Sequence, residues 1–270
     1  MLVALGSYAA YQVPSLAAGG LLYPARRAVT ARPNIPFDTL AIDAGDVRLS
    51  GWRFPARGER RATLIYLHGI ADNRASGIGI AERFTRLGYD VLAYDSRAHG
   101  ESDGDVCTYG YYEKGDLSRV LDGIDLRPII LLGGSLGAAV ALQAAAEDPR
   151  IAAVVAAETF ADLRTVATER APAFMSAGMV RRAFAIAERL GSFRVDEVSP
   201  VQSARRTRVP VLLIHGAVDR ETPPEHSRRV FEALAGPKRL IVVPGAGHNQ
   251  SLSDDVLDDV EAWLRDALAG

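Results

Sequence analysis

From residue 38 onward, short apolar runs alternate with amphipathic stretches. Residues 39–43 and 47–54 read as strands joined by a hairpin turn at Ala44-Gly45-Asp46. The runs at 63–67 (TLIYL), 129–132 (IILL), 151–157 and 209–214 are apolar nearly throughout and too short for helices, the pattern of strands buried on both faces. Residues 90–94 and 239–243 read as further strands. Helical periodicity predicts helices over 75–87, closed by Gly88, and over 113–124, 138–146, 224–234 and 254–268. Strands and helices alternating at this spacing define an α/β protein. Its central sheet is mostly parallel, with helices on both faces. In such a sheet the chemistry sits on loops beyond the C-terminal ends of the strands.

Two stretches depart from the alternation. Between the strand ending at Ala157 and the one starting at Val209 no strand pattern appears, a gap far longer than an ordinary connection. Met175, Met179, Ala183, Ile186 and Leu190 recur there at helical steps. They predict a helical cap insertion over approximately 160–200, lying above the C-terminal edge of the sheet, with extra helices packed on the side as the alternative. The second stretch, residues 2–23, is uncharged and mostly apolar, and Arg26-Arg27 follow it. Its length suits a membrane span or a secretory signal. Gly6, Gln12, Pro14, Gly19 and Gly20 suit a helical extension packed on the domain. The expectation is therefore membrane association through this segment, or a cytoplasmic protein. With the Pro-containing linker that follows, residues 1–37 form an N-terminal segment, and 38–270 form one α/β domain carrying the cap.

Composition narrows the class. A chain of 270 residues is long enough for a sizeable core, and 48% hydrophobic with 24% charged residues is the balance of a soluble globular protein. Acidic residues outnumber basic ones 33 to 31, and the arginine pairs are scattered, so a nucleic-acid partner is excluded. A single cysteine, Cys107, excludes an intramolecular disulfide and a thiolate zinc cluster.

The strand at 129–132 runs into Gly133-Gly134-Ser135-Leu136-Gly137, a G-x-S-x-G pattern, and then into an Ala-rich helix. Passing from strand to helix in so few residues forces the serine into a strained conformation and lifts its hydroxyl clear of the sheet. A serine hydroxyl needs a base, and the base an orienting acid. Among the five histidines, His248 follows the last strand on a Gly-rich loop at the correct edge and is the candidate base. His68 and His215 end buried strands and read as structural. His99 lies in the loop 95–110, and His226, on a charged helix, is expected to be exposed. Asp219, after the penultimate strand, is the candidate acid, on the chain order Ser, Asp, His expected of this turn. Glu158 and Asp95 compete with it. The backbone N–H groups of Leu136 and Ile70 are candidates for the oxyanion hole. Phe160, Met175 and Met179 are candidate substrate contacts.

Beyond the elbow, the chain carries His68-Gly69, the run Asp95-Ser96-Arg97-Ala98-His99-Gly100-Glu101-Ser102, Tyr109-Gly110 with Glu113 and Asp116-Leu117, the turn from His215 to Asp219, and Gly247-His248. In these motifs, from about Asp38 to the C-terminus, it resembles the α/β-hydrolase-fold serine hydrolases. It is most similar to the esterase and acyl-thioesterase branch, whose members often carry an N-terminal membrane segment. Ala98 departs from that family's usual glycine. The resemblance implies hydrolysis of a small-molecule carboxylic ester or thioester through an acyl-enzyme, with no metal or organic cofactor. A peptidase or C–C bond hydrolase with the same triad, and a non-catalytic binding scaffold, are the alternatives. A dehalogenase would want a carboxylate where Ser135 stands.

Overall fold

A computed structural model of the protein describes residues 2–125 and 128–269. Helix α1 (Leu2–Leu22) precedes the antiparallel pair β1 (Asp38–Asp43) and β2 (Arg48–Phe54). Then follow β3 (Ala62–Leu67), α2 (Ile78–Phe84), β4 (Tyr89–Tyr94), α3 (Glu113–Asp122), β5 (Ile129–Gly134), α4 (Leu136–Ala145) and β6 (Ile151–Ala157). The insertion holds α5 (Leu163–Glu169), α6 (Ala177–Gly191) and α7 (Pro200–Ala204). The chain closes with β7 (Val211–Gly216), α8 (Glu225–Ala233), β8 (Lys238–Val243) and α9 (Asp254–Ala269). The eight strands form one sheet in the order β1-β2-β4-β3-β5-β6-β7-β8, parallel from β4 to β8.

Period-two alternation builds the two layers of core. Ile65, Leu67, Leu131, Val154 and Leu213 face α3, α4 and α8 on one side of the sheet. Leu64, Tyr66, Ile130, Leu132, Val155 and Ile214 face α2 and α9 on the other. Every residue of β3, β4 and β7 is buried, so the continuous apolar runs follow from helices covering both faces.

Two expectations are corrected here, and of the alternatives for the N-terminal segment one is observed. The helix over 75–87 is interrupted: a 3₁₀ turn at Arg74–Gly77, capped by the Asn73 side chain on the Ala75 N–H, precedes α2, and a second spans Thr85–Leu87. The buried face of α6 is Ala183, Phe184, Ala187 and Gly191, rotated from the predicted stripe, and Leu190 is exposed. Phe184 supplies the large side chain that decides the rotation. Finally, the N-terminal segment is a helix packed along α6, with Ala18 and Leu22 buried against the cap. Among the described residues no helix is long and apolar enough to cross a membrane. Its glycines, serines and Gln12 dilute the hydropathy that a membrane anchor would need.

Candidate active site

Ser135 joins β5 to α4 at φ +50°, ψ −110°, a conformation that a residue with a side chain holds only when its surroundings enforce it. Its N–H donates to the Ala157 carbonyl (2.8 Å), and its own carbonyl accepts the Ala139 N–H (3.1 Å). Gly133 and Gly137 have no room for a Cβ, whereas a Cβ on Gly134 would meet nothing within 4 Å. One on Gly137 would strike the Leu67 carbonyl, and one on Gly133 the backbone of Gly137.

Three strand ends converge on this serine. His248, on the loop after β8, places Nε2 3.0 Å from Ser135 Oγ and Nδ1 2.7 Å from Asp219 Oδ2, on the loop after β7. An ionised carboxylate only accepts, so Nδ1 carries the ring proton and Nε2 faces the hydroxyl as an acceptor. Asp219 is itself fixed, because its Oδ1 accepts the N–H groups of Glu221 and Thr222, both at 2.9 Å. His215 braces the same loop: Nε2 donates to the Thr222 carbonyl (2.8 Å), and Nδ1 accepts from Ser227 Oγ (2.6 Å). Burial lowers its pKa, so it holds this position neutral.

The other sequence candidates fall elsewhere. His68 Nδ1 donates to the Gly69 carbonyl (2.7 Å), and its Nε2 accepts the Ser96 N–H (3.0 Å). His99 packs edge-on against it at 5.1 Å between ring centres. Burial, with the neighbouring His68 ring, pushes the His99 pKa down to about 4. Asp95 is ion-paired with the buried Arg74 and accepts the Glu101 N–H at 2.8 Å, which secures the loop 95–102. Ala98 in that loop adopts φ +63°, the left-handed conformation that explains the usual glycine. His226 is buried rather than exposed. Its Nδ1 accepts the Ala161 N–H (3.1 Å), and its Nε2 donates to Glu169 Oε2 (2.8 Å), so residues of the insertion cover it. Glu158 stands 3.9 Å from His248 Nδ1, farther than Asp219.

Glu158, Asp219 and His248 have ligand-type atoms within 4.8 Å of one another. Both carboxylates are already engaged by backbone N–H groups, an arrangement suited to holding a histidine rather than to ligating a cation.

Ser135 opens into a cavity of about 310 Å³. Leu136 and Ile70 line it together with the serine. Leu136 is the first residue of α4, so its N–H has no partner within that helix. A Cβ on Gly69 would lie 3.7 Å from the Ser135 Cβ, so the chain leading to Ile70 passes beside Ser135. Phe160, Leu163, Val166 and Phe184 give the cavity an apolar lining. Met175 lines the cavity, whereas Met179 is not among its lining residues and Val180 takes that place. Ala17, Ala18 and Leu21 of α1 form one wall, which periodicity alone did not reveal, since nothing in a uniformly apolar segment says what it packs against. Arg170 stands at the cavity as well, bonded through Nε to the Glu221 carbonyl (2.7 Å) and through Nη2 to Thr222 Oγ1 (2.6 Å).

This architecture is that of an α/β hydrolase, and comparison with known proteins agrees. The profile of the α/β-hydrolase fold matches residues 62–186, and that of the TAP-like proteins matches 191–268. An uncharacterised protein of Mycobacterium tuberculosis H37Rv is 31% identical over 217 residues, 78% of this chain and 72% of that protein. The uncharacterised protein YfhR of Escherichia coli K12 is 27% identical over 259 residues, 92% of this chain and 86% of its own. The chain belongs to the α/β-hydrolase fold family. Among solved structures, the Pyrococcus furiosus esterase Pf2001 superposes with a TM-score of 0.72 at 24% identity, covering 91% of this chain and 98% of that one.

Proposed function

We propose that this protein is a serine hydrolase that cleaves carboxylic esters of apolar acyl groups. The observation that carries the proposal is the row Ser135–His248–Asp219, joined at 3.0 and 2.7 Å and opening into an apolar cavity. The esterase named among the structural neighbours supports the same reading. His248 takes the Ser135 proton as Oγ attacks the substrate carbonyl. The tetrahedral oxyanion is held by the N–H groups of Leu136 and Ile70. His248 then protonates the leaving alkoxide, and the acyl chain stays on Ser135 beneath the cap. Water, deprotonated by the same imidazole, frees the acid. Asp219 keeps the ring in the required tautomer and stabilises the imidazolium that forms in each half. A thioester follows the same course with a thiolate as leaving group.

Hydrolysis of p-nitrophenyl esters from C2 to C16 by wild type and Ser135→Ala tests the proposal. Wild type is expected to cleave at least one chain length and to be labelled by a fluorophosphonate. The alanine variant is expected to lose at least about a thousandfold in rate and all labelling. A wild-type protein that neither cleaves esters or thioesters nor accepts the label would refute the reading.

A further inference from the structure

We propose that Glu158 is a positioning residue for His248, holding in place the stretch of backbone from which the base projects. The inference rests on the serine-hydrolase reading above. β6 ends at Ala157, and Glu158 follows at φ +57°, a left-handed conformation unusual for a residue with a side chain. Its N–H donates to the Ile214 carbonyl at 2.8 Å, which ties the turn to β7. The side chain is 2% exposed and runs beneath the loop after β8. There Oε1 accepts the N–H groups of Gln250 and Ser251, both at 3.1 Å, and Oε2 accepts that of Asn249.

These three donors belong to the three residues that follow His248. Consecutive N–H groups converging on one anion form a nest, and here the anion is supplied by the protein itself. Asn249 adopts φ +61°, the sharp turn that lets its neighbours point inward together. Without the carboxylate, the buried Ser251 N–H would be left unpaired and those of Asn249 and Gln250 would lose this acceptor, so the loop would reorganise. The two acids beside the base therefore divide the task. Asp219, at 2.7 Å from Nδ1, holds the ring, whereas Glu158, at 3.9 Å, is beyond hydrogen-bond distance of the ring and holds the chain. A shift of about an ångström in a reacting group costs on the order of a hundredfold in rate, so the loop's placement is kinetically decisive.

Glu158→Gln keeps one acceptor oxygen and Glu158→Ala keeps none, so the pair separates acceptor geometry from mere occupancy. With the best ester from the chain-length series, kcat is expected to fall about tenfold in the Gln variant and about a hundredfold in the Ala variant. KM should stay within about twofold in both, because Glu158 is not among the residues lining the acyl cavity. The rate of fluorophosphonate labelling should fall in the same order, with circular dichroism showing an intact fold. Wild-type kcat in both folded variants overturns the inference, as does a loss carried by KM or equal impairment in Gln and Ala. If the Ala variant does not fold, the Gln variant decides alone. If wild type hydrolyses no ester or thioester and takes no label, the serine-hydrolase reading fails and the inference falls with it.

Discussion

Helices α4 and α6 both border one cavity, yet they are held in different ways. Every residue of α4 is buried, and apart from Gln143 and three larger aliphatics the helix consists of alanine and glycine. It presses against β3 and β5 so closely that a single Cβ at Gly137 would collide with the Leu67 carbonyl. In α6, four of fifteen residues are buried, and its main helical partner is α1, whose Leu22 packs against Gly191. The insertion is held by a buried apolar cluster in which Leu163, Val166, Phe184 and Val195 meet Ala139 of α4, and by polar links from Glu169 to His226 and from Arg170 to the Glu221 and Thr222 loop. Close packing places Ser135 where displacement is not tolerated. Looser packing at α6 leaves that side of the cavity more open to substitution without loss of the fold.

The sharpest way to break this contrast is on the sheet side. Asp219→Asn should lower kcat about a thousandfold, roughly 4 kcal/mol, because an amide can donate to Nδ1 and reverse the tautomer. Steady-state kinetics on a folded variant checks it; a loss below tenfold would show that the ring is held by something else. Next comes Gly137→Val, which should destabilise by about 3 kcal/mol or prevent folding, read by urea denaturation. Unchanged stability there would contradict the packing of α4 on β3.

Acid tests the same half of the molecule. His99 is fully buried with its pKa lowered to about 4, and burial lowers those of His68 and His215 as well. An unfolded histidine titrates near 6.5, so between about pH 6.5 and 4 the unfolded chain binds more protons than the folded one. Stability from this source is complete above that window and is lost as pH falls through it, by on the order of 2 to 3 kcal/mol for His99 alone. Melting temperatures between pH 7.5 and 4.5 should decline accordingly. A flat profile would mean that these rings are not held neutral.

On the cap side the effects should be smaller. Gly20 borders the cavity, and a Cβ there meets nothing within 4 Å. Gly20→Leu should fill that space, lowering kcat/KM for the longest accepted ester about tenfold while sparing acetate esters. An unchanged chain-length profile would remove α1 from the acyl site. Smallest of all, Arg164→Ala breaks a half-exposed ion pair and should cost less than about 1 kcal/mol by thermal melt.

Periodicity was sufficient to reveal the strands and most helix cores, because burial on both faces leaves continuous apolar runs and amphipathic helices leave a stripe. The interruption around α2 was not legible, since a 3₁₀ turn and an α-helix share the same local composition. His226 misled for a related reason. Its neighbours Glu225, Arg228 and Arg229 are charged, and only the docking of Ala161 and Glu169 over it buries the ring. Met179 followed a regular stripe, but the bulk of Phe184 turned the helix and brought Val180 to the cavity instead.

By itself the sequence determined what is local: which residues are apolar, where the chain must turn, and that Ser135 stands between glycines on a strand-to-helix turn. It also determined that Asp219 and His248 follow strands, hence lie at one edge of a parallel sheet. Tertiary structure alone decided distance. That Glu158, Asp219 and His248 share one small volume depends on β6, β7 and β8 lying side by side, and that α1 forms a wall of the cavity depends on its docking against α6. Local propensities act over a few residues, whereas these contacts join segments far apart in the chain, through packing that no short window of sequence contains.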